Sequence, residues 1–132
     1  MKERKIRQPR RTYTISQLRF EFGVTARALR FYEEKGLLSP IHMATGRVYS
    51  YRERARLTLI LRGRRVGLSI SEIREILDAY REGADVQNAK ALAIFGRRME
   101  ALELERLEVE AALTALRTAS GRLLPHGPSV SR

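Results

Sequence analysis

The sequence of 132 residues carries 26 lysines and arginines against 15 aspartates and glutamates, a formal net charge of +11 and a pI near 11.0. It contains no cysteine, which excludes disulfides, thiolate metal sites, iron–sulfur clusters and thiol redox switches. The length allows one modest domain with an extension, and the positive charge predicts an anionic partner, either nucleic acid or an acidic membrane surface.

The positive charge is concentrated in the first part of the chain. Residues 1–82 hold 19 basic and 9 acidic residues, whereas residues 83–132 hold 7 and 6. No apolar run approaches the roughly 20 residues of a membrane span, and the charged N-terminus lacks the apolar core of a signal peptide. His42 and His126 are too few and too far apart for a zinc site. We therefore expect a cytoplasmic protein with no cofactor, no metal and no membrane partner.

The chain begins with a segment that predicts no regular structure. Residues 1–12 are polar, basic and interrupted by Pro9, which is typical of a disordered arm. Such an arm serves solubility or adds salt-sensitive phosphate contacts that do not depend on sequence.

Residues 13–35 predict two short helices joined by a tight turn. Ile15, Leu18 and Phe22 have helical spacing and give the first helix one apolar face. Gly23 then breaks the period, and glycine tolerates the positive φ that a sharp turn between helices requires.

The second helix of this pair has the features of a recognition helix. Thr25 predicts its N-cap, Leu29 and Tyr32 its inward face, and Gly36 its end. The outward face carries Arg27, Arg30 and Phe31. This is a helix-turn-helix whose second helix has the right size for a major groove. The alternative is a pair of ordinary amphipathic helices with a solvated basic face.

A β-hairpin is predicted over residues 41–51. The turn signal Thr45-Gly46 is flanked by the β-forming residues Ile41, Val48 and Tyr49. A hairpin directly after a recognition helix is a wing, and Arg47 lies beside its turn, where a side chain reaches backbone phosphates.

Two further helices complete the predicted DNA-binding domain of residues 13–82. Residues 51–66 form a third helix with a buried face of Leu57, Ile60 and Leu61. The fourth helix begins at either Ser71 or Ser69, because Ser69-x-x-Glu72 is a capping-box pattern.

Residues 86–123 predict one long helix with a heptad pattern, followed by a disordered tail at residues 124–132. The positions that alternate at spacings of 3 and 4 are apolar except Arg106 and Ser120. A helix with one apolar stripe is not stable alone in water, so we expect it to pair with a second copy; folding back on its own domain is the alternative. The predicted dimerisation residues are Leu92, Phe95, Met99, Leu102, Val109, Leu113 and Leu116.

Four strings in this order carry a resemblance to a known family: YTIS, GVTARALRFYEEKGLL, GRVYSYRERARL and LRGRRVGLSISEIREIL. From residue 13 to about residue 80 the sequence resembles the MerR family of bacterial transcription regulators, and the long helix fits beyond. The resemblance implies a mainly α fold, with a winged helix-turn-helix followed by a dimerisation helix in an antiparallel coiled coil. The segment RVYSYRERARLTLILRGRRVG more narrowly resembles the branch of the family that controls leucine, isovalerate and fatty-acid breakdown in proteobacteria.

The family resemblance implies a homodimeric transcriptional regulator and not an enzyme. Its two winged domains would bind a palindromic operator in an over-long promoter spacer and distort the double-stranded DNA so that RNA polymerase can use the promoter. The branch implies an acyl-CoA-type effector, whereas the metal and redox members of the family use cysteines.

Position by position, the resemblance also implies a set of DNA contacts. These are Ser16, Thr25, Arg27, Arg30, Phe31, Tyr32, Arg47, Tyr49 and Arg52. The chain departs from the family at Arg19, where a small alanine is usual, and at Phe20, where a polar residue is usual. Arg19 must therefore turn outward, or the first helix is rotated. We expect Glu33, Glu34 and Glu53 to be ion-pair partners or solvated charges.

Two other readings of the chain stay open. One is an architectural or excisionase-like winged-helix DNA-binding protein without a small-molecule effector. The other is an interaction module whose coiled coil binds another protein while its basic face is incidental. An enzyme is not expected, because the sequence shows no nucleophile–base pair, no clustered carboxylates and no phosphate-binding glycine loop.

Overall fold

The structure is a computed structural model that describes residues 12–125. Its elements are β1 (Thr12–Thr14), α1 (Ile15–Phe22), α2 (Ala26–Glu34), β2 (Ile41–Met43), β3 (Gly46–Ser50), α3 (Tyr51–Arg65), α4 (Ile70–Ala79), a 3-10 turn (Tyr80–Glu82) and α5 (Ala84–Leu123). The fold is mainly α with a small sheet, a wing and a long C-terminal helix, as predicted. Most of the predicted arm and tail, residues 1–11 and 126–132, lies outside the described residues.

Four of the helices begin at a hydroxyl side chain that accepts a hydrogen bond from the backbone three residues later. The caps are Thr14, Thr25, Ser50 and Ser69. At the fourth helix, therefore, the cap is Ser69 and not Ser71, and the Glu72 side chain closes the predicted capping box. Each cap satisfies a backbone donor that a helix start leaves free.

Glycines in the left-handed region end the helices of the helix-turn-helix. Gly23 has φ 65° and its N–H donates to the Arg19 carbonyl at 2.9 Å. Gly36 has φ 76°, and the following Leu37 N–H donates to the Tyr32 carbonyl at 2.9 Å. This second pattern is the one by which a glycine closes a helix, so both predicted ends are confirmed.

The sheet has three antiparallel strands in the order β1–β3–β2. Residues 41–43 and 46–50 form the predicted hairpin, but the strand β1 was not predicted. Tyr13 lies opposite Tyr49, so the first residues of the stretch assigned to two helices are extended and paired with the wing. Since this pairing joins distant parts of the chain, no local signal in the sequence marks it.

The core of the first unit, Met1–Ala91, lies between the small sheet and the helices that follow it. Its buried apolar residues are Tyr13, Leu18, Leu29, Tyr32, Leu37, Leu38, Val48, Tyr49, Leu57, Ile60, Leu68, Ile73, Ile76, Leu77 and Ala79. On α3 the third buried position is Gly63, whereas the predicted Leu61 is only half-buried. A Cβ at Gly63 would lie 2.9 Å from Ile73 Cγ1, so glycine allows α3 and α4 to pack closely.

The helix α5 begins at Ala84, before the predicted start at Val86. Its first turns contact α4 within the first unit: Gln87 Nε2 donates to the Ile76 carbonyl at 3.1 Å, and Lys90 Nζ lies 3.7 Å from Glu75 Oε1. These contacts extend the first unit beyond residue 82, where the predicted domain ends.

The second unit, Leu92–Arg132, contains the rest of α5 as far as Leu123. The predicted dimerisation residues are all exposed in the single chain, for example Leu92 at 70% and Met99 at 61%. Among residues 12–125, no helix combines the length and the hydropathy that crossing a bilayer would require.

Candidate nucleic-acid interface

The recognition helix α2 has one buried and one exposed face. Leu29 and Tyr32 are buried, and Thr25 Oγ1 accepts a hydrogen bond from the Ala28 N–H at 3.0 Å. Because of the helical spacing, Arg27, Arg30 and Phe31 lie on the opposite, exposed face of α2. This geometry fixes which side of the helix is free to meet a ligand.

Arg27 and Arg30 lie on the exposed face of α2. Within the described residues, neither guanidinium donates a hydrogen bond or forms an ion pair. Both therefore keep their donors available for a planar acceptor such as a guanine edge or a phosphate. Phe31 is partly exposed and meets Tyr32 edge-on at 5.7 Å between ring centroids, while Lys35 Nζ lies 5.5 Å from the Phe31 ring centroid.

A carboxylate joins the recognition helix to the wing. Glu33 Oε1 accepts from Arg47 Nη1 at 2.8 Å, and Glu33 Oε2 accepts from the Tyr49 hydroxyl. The Glu33 side chain is 11% exposed and that of Arg47 23%. Burial is the main reason that the pKa of Tyr49 is raised above its ordinary value, and the hydrogen bond and the negative charge of Glu33 raise this pKa further. The strand β3 is thereby held against α2.

This cluster corrects the prediction that Tyr49 contacts DNA. Tyr49 is fully buried, and its hydroxyl is used by Glu33, so this arrangement does not present it to a ligand. Arg47 is half-buried at the start of β3 and keeps part of its guanidinium at the surface. The expectation that Glu33 is an ion-pair partner is confirmed, whereas Glu34 is exposed.

The remaining predicted contacts lie at helix starts or beside the core. Ser16 is exposed in the first turn of α1, Thr25 is exposed at the α2 cap, and Arg52 is exposed in the first turn of α3. Tyr32 is buried apart from 7% of its surface, so its ring belongs to the core. Glu53, expected to be an ion-pair partner or a solvated charge, instead accepts the backbone N–H of Ser39 at 2.8 Å through its Oε1.

An arginine of α3 braces the first helix. Arg54 Nε donates to Glu21 Oε1 at 3.1 Å and its Nη2 donates to Glu21 Oε2; the same guanidinium lies 5.5 Å from the ring centroids of both Tyr13 and Phe22. The hydrogen bond to Glu21 is the main reason that the pKa of Arg54 is raised. The role of Arg54 was not predicted, because its partners lie more than a helix away in sequence.

The two departures from the family pattern both point to solvent. Arg19 is exposed, which agrees with the expectation that its side chain turns outward, and Phe20 is 93% exposed. Among residues 12–125, no three His, Cys, Asp or Glu side chains come together as metal ligands.

Comparison with known families agrees with this geometry. A family model described as MerR HTH family regulatory protein matches residues 13–80, and a second, described as MerR, DNA binding, matches residues 54–119. The chain belongs to the MerR family. Membership places it among DNA-binding transcriptional regulators and not among enzymes.

Several MerR-family relatives are similar over part of their length. The HTH-type transcriptional regulator CueR of Yersinia pestis is 37% identical over 86 residues, which are 61% of this chain and 62% of that protein. CueR of Escherichia coli O157:H7 is 35% identical over 101 residues, 70% and 75% of the two chains. The ZntR homolog of Haemophilus influenzae is 32% identical over 80 residues, 59% and 58% of the two chains. The chain thus spans less than two thirds of the Yersinia and Haemophilus proteins.

Two solved structures share the fold. A MerR-family transcriptional regulator from Bacillus cereus superposes with a TM-score of 0.70 at 24% identity, covering 85% of this chain and 82% of that one. HiNmlR, a MerR family regulator lacking the sensor domain and bound to promoter DNA, superposes with a TM-score of 0.60 at 22% identity, covering 87% and 98%. None of these five proteins bears a name that refers to leucine, isovalerate or fatty-acid breakdown, so that narrower branch stays a prediction.

Proposed function

We propose that this MerR-family chain regulates transcription as a homodimer that binds a palindromic operator, with one α2 helix in each of two successive major grooves. The single observation that carries this proposal is the pair Arg27 and Arg30, exposed on a helix whose other face is buried and engaged in no hydrogen bond or ion pair among residues 12–125. An arginine that bonds both acceptors of a guanine contributes about 1–3 kcal/mol of discrimination against other bases.

The other candidate contacts have supporting roles in this proposal. Arg47 contacts backbone phosphate from the wing. Glu33 holds the wing in position next to α2 by accepting hydrogen bonds from the Arg47 and Tyr49 side chains. Ser16, Thr25 and Arg52 offer phosphate contacts at helix starts, where free backbone N–H groups attract anions. Phe31 lines the edge of the helix beside the arginines.

The dimer acts on RNA polymerase through the promoter in this proposal. Two winged units held at a fixed separation bend and untwist the spacer between them, so part of the specificity comes from how easily a sequence deforms. The exposed apolar stripe of α5 supports the dimer, because an isolated helix of this kind is unstable in water. The expectation of an acyl-CoA-type effector rests on the branch resemblance alone, so our proposal names no effector and no pathway.

The test begins with selection of an operator from random double-stranded DNA, followed by binding measurements over a range of salt concentrations. We expect Arg27→Ala with Arg30→Ala to weaken operator binding about thirtyfold or more, while binding to random DNA changes far less. Arg117→Ala with Arg122→Ala, which removes two exposed arginines of α5, is the charge-matched control and should bind as the unaltered chain does. Equal affinity of the double variant and this control would refute the assignment.

Transcription in vitro separates the regulator from the alternatives. A promoter with a long spacer around the selected operator should respond to the unaltered chain and not to the double arginine variant. Specific binding without any change in transcription would favour an architectural or excisionase-like protein. If the unaltered chain shows no salt-dependent binding to random or palindromic DNA, the result favours an interaction module.

A further inference from the structure

Residues 35–39 form the exit segment of the recognition helix α2. Three side chains from α3 and α4 hydrogen-bond the backbone of this segment at every second residue. The bonds are Arg74 Nη2 to the Lys35 carbonyl, Arg56 Nε to the Leu37 carbonyl at 3.0 Å, and the Ser39 N–H to Glu53 Oε1 at 2.8 Å. The end of the recognition helix is therefore fixed to α3 and α4 through side chains.

Arg74 of α4 lies against the turn that ends α2. Gly36 has φ 76°, and a Cβ built at Gly36 would lie 3.4 Å from Arg74 Nη1, so one guanidinium nitrogen packs on this turn while the other donates to the Lys35 carbonyl. A helix end leaves its last carbonyls without partners inside the helix and carries a partial negative charge. A cation that donates to such a carbonyl is favourable for both reasons.

We propose that Arg74 and Arg56 are positioning residues for DNA recognition, because they hold the end of α2 so that Arg27 and Arg30 meet the base edges in the required orientation. This inference rests on the DNA contacts proposed above and adds two residues that act through them. Arg56 and Arg74 are both half-buried, and each donates to a backbone carbonyl of the exit segment. Their role is therefore to orient α2 and not to contact DNA.

Base readout depends on this orientation more than phosphate binding does. An arginine bonds both acceptors of a guanine only when its planar group lines up with the base edge, whereas a phosphate accepts hydrogen bonds over a wider range of directions. Glu33 holds α2 to the wing, and the exit segment holds the end of α2 to α3 and α4. Loss of the second attachment should therefore weaken operator binding before it weakens binding to random DNA.

Arg64 offers a matched control within the same unit. Its Nη1 donates to the Leu68 carbonyl at 3.0 Å, so it makes the same kind of bond as Arg74 but in the turn between α3 and α4. Arg64→Ala removes one positive charge and one bond from an arginine to a carbonyl, as Arg74→Ala does. A difference in DNA binding between the two variants therefore comes from where the bond lies and not from net charge.

The test measures the affinity of the full chain for a selected operator and for random double-stranded DNA, after urea titration has shown that each variant is folded under the binding conditions. We expect Arg74→Ala to bind the operator about tenfold more weakly than Arg64→Ala, as partial loss of base readout by the two recognition arginines predicts. The two variants should bind random DNA alike and show the same dependence on salt. Arg56→Ala should act in the same direction, and it replaces Arg74→Ala if that variant does not fold.

A double-mutant cycle with the recognition arginines separates positioning from direct contact. In a chain that already carries Arg27→Ala and Arg30→Ala, adding Arg74→Ala should change operator binding by less than about twofold, because no base-reading arginine is left to position. A direct phosphate contact would instead weaken binding to both DNAs, reduce the salt slope by about one and keep its full effect in this background.

Two results overturn the positioning role. One is equal operator affinity of Arg74→Ala and Arg64→Ala, and the other is a full, additive loss when Arg74→Ala is added to the chain without the recognition arginines. Both leave the proposed function standing, provided that Arg27→Ala with Arg30→Ala loses operator binding. If that pair binds the operator as the unaltered chain does, the proposed function is refuted and the positioning role with it.

Discussion

Replacing Glu33 by alanine removes the carboxylate that joins the recognition helix to the wing. In the folded chain this carboxylate accepts hydrogen bonds from Arg47 Nη1 and from the Tyr49 hydroxyl. Tyr49 is fully buried in the unaltered chain, where its hydroxyl donates to this carboxylate. The substitution therefore leaves a buried donor without an acceptor and a half-buried arginine without its ion pair.

The cost of Glu33→Ala follows from these two losses. A buried donor left without a partner costs about 1–3 kcal/mol. The ion pair to Arg47 contributes up to about 1 kcal/mol, because its two side chains are 11% and 23% exposed and solvent screens them only in part. We therefore expect the free energy of unfolding to fall by about 1–4 kcal/mol, a large share of the total for a domain of this size.

Urea denaturation followed by circular dichroism measures this loss. Protein concentration must be the same for all variants, because the stability of the proposed dimer would depend on it. The control is Glu34→Ala on the same helix, where the carboxylate is exposed and the change should stay within about 0.5 kcal/mol. Adding Tyr49→Phe to Glu33→Ala removes the orphaned hydroxyl as well, and we expect it to recover part of the lost stability.

Two results would contradict this reasoning. If Glu33→Ala loses no more stability than the Glu34 control, the contacts of the carboxylate do not stabilise the wing. If Tyr49→Phe destabilises the Glu33→Ala chain further, the buried hydroxyl is not the source of the loss.

Three further predictions concern the same unit. Gly63→Ala should lower the free energy of unfolding by about 1 kcal/mol, because overpacking against α4 outweighs the better helix propensity of alanine, whereas Gly121→Ala on open helix surface should be neutral or stabilising in the same urea titration. The folded state raises the pKa of Tyr49 above its unfolded value of about 10. The stability that the protonated hydroxyl contributes is therefore complete below pH of about 10 and is lost as the pH rises beyond it. We expect Tyr49→Phe to lose less stability than the unaltered chain as the pH is raised in this range. Arg54→Ala should lower the free energy of unfolding by about 1 kcal/mol in the same urea titration. Arg54→Lys should still be less stable than the unaltered chain, because lysine lacks the planar guanidinium that bonds both oxygens of Glu21.

Local signals in the sequence predicted much of the fold. Thr25 and Ser69 precede apolar periodic runs, and a hydroxyl at that point satisfies a free backbone donor. This placed the start of the second helix at Thr25 and limited the start of the fourth to Ser69 or Ser71. Gly23 and Gly36 fixed the helix ends for the same local reason. Each of these signals acts within a single turn of the chain.

The features that were missed depend on residues far apart in sequence. The strand β1 has only three residues, and its partner strand lies beyond two helices and a hairpin strand. The sequence alone does not show which face of the wing Tyr49 lies on, because its hydrogen-bond partner Glu33 is brought next to it only by the fold. Arg54 likewise has no periodic relation to Glu21. Side-chain roles that arise from such contacts require the assembled structure.

The pairing of β1 with β3 sets the order in which the first unit should assemble. Its capped helices and its hairpin form from neighbours in sequence, whereas bringing Tyr13 beside Tyr49 closes a loop of about 35 residues. Loop closure of that length is unfavourable until α1, α2 and the wing have already come together. We therefore expect the short first strand to join late and to detach early, so that its amide protons exchange with solvent sooner than those of α3.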